Sequence, residues 1–197
     1  MPSQYRSFKE LFEREIEGRD YRVRTESRRG DIIIMAPHGG KIEPDTSEIA
    51  EAISSREYSF YSFEGLKPTE NYSLLHIESH LFDEPRAIKA VKKADIVITI
   101  HGHRDDKNSF IMIGGLNKEL RNKIRRNLEH LGYSTRSSQK GLGGRDPNNI
   151  CNHGRQRCGV QLEISQKLRD FLINDKNKLF EFSQSIRKAI QTHLEDS

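Results

Sequence analysis

A histidine and a carboxylate share one short, glycine-containing stretch, Pro37-His38-Gly39-Gly40-Lys41-Ile42-Glu43. Imidazole nitrogen and carboxylate oxygen are ligands that zinc takes in catalytic sites, where three protein groups bind and a fourth position stays open for water. The two glycines let the backbone turn sharply enough for His38 and Glu43 to converge on one ion. His101, again followed by a glycine, ends the apolar run Ile96-Val97-Ile98-Thr99-Ile100 and is the candidate third ligand. Glu163 lies inside another apolar run, Gly159-Val160-Gln161-Leu162-Glu163-Ile164, where an unpaired charge would be costly. If Glu43 ligates the metal, a proton acceptor must come from elsewhere, and Glu163 is the candidate general base, with a raised pKa suited to the work.

Each assignment has a competitor. His103 is two residues from His101 and would share its face of a strand, but Gly102 is expected to end that strand and leave His103 on the rim. His76 and His80 lack the adjacent glycine and the preceding branched residues. Glu163 could instead pair structurally with Arg169. Cations are needed to grip an acidic substrate and steady an oxyanion; Lys67, Arg145 and Arg155 are the candidates, with Asn149 as a hydrogen-bond donor. Each also reads as an ordinary surface or loop residue.

The elements that must position these groups alternate between strand and helix character, the pattern of an α/β layer fold. Residues 8–16 read as an amphipathic helix and 21–25 as an outer strand. Residues 32–36 are a central strand, followed by a helix that Thr46 or Ser47 could cap. Strands are expected at 58–63, 73–77, 95–100 and 110–113. A helix opens at Asp83-Glu84-Pro85, and another starts after Asn117 and stops at Gly132. Residues 134–157 are rich in Gly, Asn, Ser and Arg without periodicity and read as one long functional loop. Two helices, 166–173 and 177–194, finish the chain. Both His38 and His101 then fall at the carboxyl ends of strands, where open α/β sheets form their sites.

With 197 residues, 34% hydrophobic and 31% charged, the chain is globular and long enough for one sizeable core, so residues 1–197 are read as a single domain. No stretch approaches the roughly 20 apolar residues of a membrane span, and Met1-Pro2-Ser3-Gln4-Tyr5-Arg6 lacks the core of a secretory signal, so a cytoplasmic protein is expected, released where the cell lyses. Cys151 and Cys158 are too few for a disulfide framework and read as free thiols or one optional bridge. The net charge of +4 favours an anionic partner. Gly141-Leu142-Gly143-Gly144-Arg145 has no Lys-Ser or Lys-Thr ending, which argues against a P-loop, and no serine sits in a nucleophile elbow.

Ala36-Pro37-His38-Gly39-Gly40-Lys41-Ile42-Glu43, Phe63-Glu64-Gly65-Leu66-Lys67, Ile100-His101-Gly102, Asn148-Asn149-Ile150-Cys151-Asn152 and Gly159-Val160-Gln161-Leu162-Glu163-Ile164-Ser165, in that order, resemble the poly-γ-glutamate hydrolases of bacteriophages and of bacteria with related genes. The resemblance implies a three-layer α/β/α domain with a central mixed sheet, related to zinc carboxypeptidases. It implies one zinc held by His38, Glu43 and His101, a general base at Glu163, and a polyanionic poly-γ-glutamate substrate. Digestive carboxypeptidases place two residues between the first histidine and the glutamate; here there are four, as in the hydrolase family. A zinc amidohydrolase or peptidase acting on small acylated amino acids or peptides is the first alternative. A phage-associated nucleic-acid-binding protein is the second, suggested by the arginines at 121–126 and 145–157, but the chain lacks interleaved aromatics for base stacking.

Overall fold

The central strands are apolar on successive residues because both of their faces are covered. In the computed structural model, which describes residues 3–28, 31–138 and 143–196, seven strands form one sheet: β1 Tyr21–Glu26, β2 Ile32–Gly40, β3 Ser59–Gly65, β4 Ile96–His103, β5 Ile111–Gly114, β6 Thr135–Ser137 and β7 Val160–Ser165. Their spatial order is β1-β3-β2-β4-β7-β5-β6. The β3-β2-β4-β7 core is parallel, while β1 and β5 pair antiparallel with β3 and β7, making a mixed sheet.

Alternation along β2 divides the core in two. Ile32, Ile34 and Ala36 point to one face and pack with Ile49, Ile53, Leu120, Ile124, Leu168, Phe182 and Ile186. Those partners come from α2 Thr46–Ser54, α5 Lys118–His130, α6 Gln166–Asn174 and α7 Lys176–Glu195. Ile33 and Met35 point the other way, into a cluster with Phe8, Leu11, Tyr61, Phe63, Leu75, Ala87 and Val91, served by α1 Phe8–Phe12, α3 Asn71–Leu75 and α4 Pro85–Val91. The chain is thus a three-layer α/β domain with a seven-stranded mixed sheet between helices.

Several local expectations change. Residues 73–77 are not a strand: α3 covers 71–75 as a single turn that buries Asn71 and Leu75, four residues apart on one helical face. The first helix stops at Phe12, and Ile16 is exposed. Asp45, not Thr46 or Ser47, precedes α2; Thr46 Oγ1 donates to the Glu43 carbonyl, and Ser47 Oγ accepts from Gly40 N–H, so both hydroxyls secure the preceding turn. β4 does not end at Gly102, because Gly102 and His103 stay paired with Ile164 and Ser165 of β7. The stretch 134–157 contains β6 and a 3₁₀ turn, Ile150–Asn152; its residues 139–142, including Gly141 and Leu142, lie outside the described residues. Cys151 and Cys158 are free thiols. Among the described residues no helix is long and apolar enough to cross a membrane.

Candidate metal centre

The carboxyl ends of β2, β4 and β7 bring four side chains from distant parts of the sequence to one place. Strand β2 runs through His38, its pairing with β3 shifting register between Ala36 and Gly39. The chain then folds back so that Glu43 N–H donates to the His38 carbonyl at 2.9 Å. Gly40 makes this possible with a φ of 58°, and a Cβ there would lie 2.7 Å from the Gly65 carbonyl oxygen. On the neighbouring strands, His101 stands directly opposite Glu163.

The donor atoms converge. His38 Nδ1 lies 3.1 Å from His101 Nδ1 and 3.3 Å from Glu43 Oε1, and Glu43 Oε2 lies 3.5 Å from His101 Nδ1. Bonds of about 2.0–2.1 Å to a tetrahedral zinc imply donor-to-donor edges of about 3.3–3.4 Å, so the spacing and the N, N, O chemistry fit zinc. His38 Nε2 is 2.7 Å from the Ile77 carbonyl. A carbonyl only accepts, so Nε2 carries the proton and Nδ1 presents its lone pair to the cluster. Glu43 Oε2 also accepts Gly102 N–H at 2.8 Å, which fixes the carboxylate against the end of β4. His101 Nε2 is buried with no hydrogen-bond partner among the described residues, leaving its tautomer to be set from the Nδ1 side.

His76 is the other imidazole in reach: His38, Glu43 and His76 offer donor atoms all within 4.8 Å of one another. Its Nδ1 is 2.8 Å from Ser3 Oγ, and its ring lies against those of His38 and Tyr72. Burial, reinforced by the neighbouring His38, lowers its pKa to about 2, so it stays neutral. His103 packs edge-on against Phe110 at the cleft wall, and His80 lines the outer cleft.

Charge within the cluster is strongly coupled. Burial works to raise the Glu43 carboxyl, but the imidazoles of His38 and His101 outweigh it and hold Glu43 well below the usual carboxylate range. Burial opposes a charge on His101, yet its contact with Glu43 and the nearby Glu163 shift it upward. Glu163 moves the other way: burial, aided by the charge on Glu43, pushes its carboxyl up despite opposing pulls from His101 and Gln161. Two glutamates that interact with the same imidazoles are therefore tuned apart, one toward the anion and one toward the proton.

Arg169 is not the partner of Glu163. Its buried guanidinium donates to the carbonyls of Pro44, His103 and Ile164, clamping the Glu43 turn to the ends of β4 and β7. What Glu163 does contact was not foreseen from the sequence: Gln161 Nε2 donates to Glu163 Oε1 at 2.8 Å, and Asn149 Nδ2 donates to Gln161 Oε1 at 2.9 Å. Asn149 in turn accepts from Cys151 N–H at the start of the 3₁₀ turn. The signal was present in the sequence, since Gln161 and Glu163 are two apart on a strand and so share a face. Gln161→Leu is expected to leave the fold intact and lower kcat by about 10- to 100-fold, because a bond to a charged group is worth about 1.5–3 kcal/mol; steady-state kinetics beside a thermal melt checks this.

Four of the groups expected to contact substrate fall in different places. Arg145 and Asn149 line a cleft of about 840 Å³ that also contains His38, Glu43, His101 and Glu163; Arg145 is exposed, whereas the Asn149 amide is occupied in orienting Gln161. Lys67 and Arg155 are not in the cleft. The Lys67 ammonium is 2.5 Å from Glu15 and 3.4 Å from Asp20, beside β1. Arg155 pairs with Asp95 and Asp31, which precede β4 and β2, so it sits at the opposite end of the strands from the site. Acidic neighbours claim both cations, which a sequence window around either one does not reveal.

A family profile described as poly-gamma-glutamate hydrolase matches residues 5–194. YmaC of Bacillus subtilis (strain 168) is 38% identical over 177 residues, covering 88% of this chain and 74% of that protein. YndL of the same organism is 37% identical over 170 residues, covering 85% of this chain and 66% of that protein. Among solved structures, a bacteriophage poly-gamma-glutamate hydrolase superposes with a TM-score of 0.94 at 30% identity over the whole of both chains. A zinc-free apo form of YndL superposes with a TM-score of 0.90 at 32% identity, over 96% of this chain and 98% of that one.

Proposed function

This chain belongs to the poly-gamma-glutamate hydrolase family, and from that premise we propose that it acts as one zinc hydrolase domain cleaving γ-glutamyl amide bonds in poly-γ-glutamate, with His38, Glu43 and His101 as the zinc ligands and Glu163 as general base. The observation that carries the reading is the convergence of two Nδ1 atoms and the Glu43 carboxylate at 3.1–3.5 Å beside a second, separately tuned carboxylate. His101 is preferred to His76 as the third ligand because its Nδ1 faces both other donors, whereas His76 is committed to Ser3 and to stacking. The zinc-free form of YndL supports the choice of metal.

Zinc bound there would supply a Lewis acid for the scissile carbonyl and make water acidic enough to react near neutral pH. The chain's own residues do the rest. Glu163, held by Gln161, takes a proton as the water oxygen attacks the carbonyl carbon. It then returns that proton to the amide nitrogen as the C–N bond breaks, so one product ends in a carboxylate and the other in an amine. Glu43 and Glu163 cannot exchange roles, since Glu43 is fixed by Gly102 N–H and held toward the anion.

Poly-γ-glutamate, α-linked polyglutamate and an acylated glutamate, offered separately to the purified full chain, distinguish the substrate classes. Shortening of the γ-linked polymer, followed by size-exclusion chromatography, is the expected result. Cleavage confined to the acylated amino acid would move the protein to the amidohydrolase reading, and no cleavage of the γ-linked polymer would refute the proposal.

A further inference from the structure

A column of planar groups in contact runs from the cluster along the cleft to an exposed arginine. The His38 ring lies 4.0 Å from the His76 ring, His76 stacks on Tyr72 at 4.6 Å with 26° between planes, and the Arg104 guanidinium carbon sits 3.9 Å from the Tyr72 centroid. All four residues line the same cleft. The inner members are buried or half-buried, while Arg104 is exposed at the end of the column. Arg104 enters no ion pair among the described residues, although Glu78 and Asp146 also line the cleft. Several other arginines are spent: Arg22 and Arg24 on Glu64, Arg155 on Asp31 and Asp95, Arg169 on carbonyls.

A long cationic side chain on a surface normally samples many rotamers, and ordering it costs entropy each time it grips a ligand. Contact with the Tyr72 ring removes much of that freedom in advance and holds the guanidinium, with its fork of donors, on the cleft wall. A carboxylate is the group that matches such a fork. Resting on the proposed hydrolase reading, we propose that Arg104, pre-ordered by Tyr72, is a specificity-determining residue that receives the free α-carboxylate of a γ-linked glutamate unit beside the bond to be cut. The column ties the position of that carboxylate to His38 through three ring contacts. The site thereby selects a chain with a carboxylate on each unit, and the grip acts on binding more than on the chemical step.

Arg104 is exposed, so its variants are expected to fold as the parent does. Arg104→Gln is expected to raise KM for poly-γ-glutamate by about 10- to 100-fold with kcat changed less than about threefold. Arg104→Lys should recover only part of the loss, since an ammonium cannot make the forked contact, and Tyr72→Leu should raise KM by about threefold to tenfold while keeping the charge. On a γ-linked polymer whose α-carboxyls are amidated, the parent and Arg104→Gln should have equal KM. A second arm measures binding alone: titration calorimetry of short γ-linked oligoglutamate into Glu163→Gln, with and without Arg104→Gln, should show the same 10- to 100-fold difference. If the parent cleaves the polymer and Arg104→Gln leaves KM within twofold, or raises it equally on the amidated polymer, the inference is overturned and the hydrolase reading stands. If the parent cleaves nothing, the hydrolase reading falls, and equal oligoglutamate affinity with and without Arg104→Gln, or no binding in either, overturns the inference as well.

Discussion

Glu163→Gln is expected to retain bound zinc while losing about 10²- to 10⁴-fold in kcat, a barrier increase of about 3–5.5 kcal/mol. The amide is nearly the same size as the carboxylate and can still face Gln161, so packing in the β7 strand is preserved; what disappears is the ability to accept a proton. The pH profile of the parent should carry the same information. Burial first, and then the charge of Glu43, raise the Glu163 carboxyl, so the ionised form needed to accept a proton is lost on the acid side at a higher pH than an ordinary glutamate would give. The sign for stability is opposite. A carboxyl raised in the folded state stabilises the fold only while protonated, below its unfolded pKa, and that contribution is lost as pH rises through the folded value. Above its raised folded pKa the charge on Glu163 is therefore a burden on the metal-free fold, and there metal-free Glu163→Gln should melt no lower than the metal-free parent. A variant with near-normal kcat, or one that has shed its zinc, would remove Glu163 from the role of base.

The same burial that makes Glu163 costly also made it readable. An acidic residue between Leu162 and Ile164 contradicts its strand, and contradictions of local rules mark functional positions. His38 and His101 were legible for a related reason: each follows a run of branched residues buried on both faces, and such runs in a parallel sheet point their carboxyl ends at one region. The seven-stranded order and the two antiparallel pairings were not legible, because they depend on which strands meet, and that is decided by packing between segments far apart in sequence, such as the β4–β7 pairing that sets His101 against Glu163. Residues 73–77 were misread for want of length, since a single turn that buries two side chains gives no period to detect. The cations failed for an electrostatic reason. Lys67 and Arg155 are neutralised by acids from β1's approach and from the amino ends of β2 and β4, contacts that only the fold brings together. Arg104, which stays unpaired among the described residues, has nothing in its own sequence neighbourhood to set it above its neighbours.

Removal of metal is expected to abolish hydrolysis, and the pattern of loss among the imidazole variants should identify the ligands. Dialysis against a chelator should reduce activity below about 1% of the loaded enzyme, with recovery on adding one equivalent of zinc, because water activation and carbonyl polarisation would both depend on the ion. His38→Ala and His101→Ala should each lower zinc affinity steeply: losing one of three protein ligands leaves two, and a catalytic zinc site normally keeps three. His76→Ala should keep stoichiometric zinc, since its Nδ1 is engaged by Ser3 and its role here is to stack between His38 and Tyr72. Acidification should release zinc from the parent, because the imidazoles must be neutral to bind it, and the upward shift of His101 places that release at a higher pH than an unperturbed imidazole would. Elemental analysis of the purified variants reads each of these outcomes directly. Zinc lost from His76→Ala but kept by His101→Ala would exchange the third ligand. That result would leave His101, paired across the sheet with Glu163, as the neighbour that tunes the base.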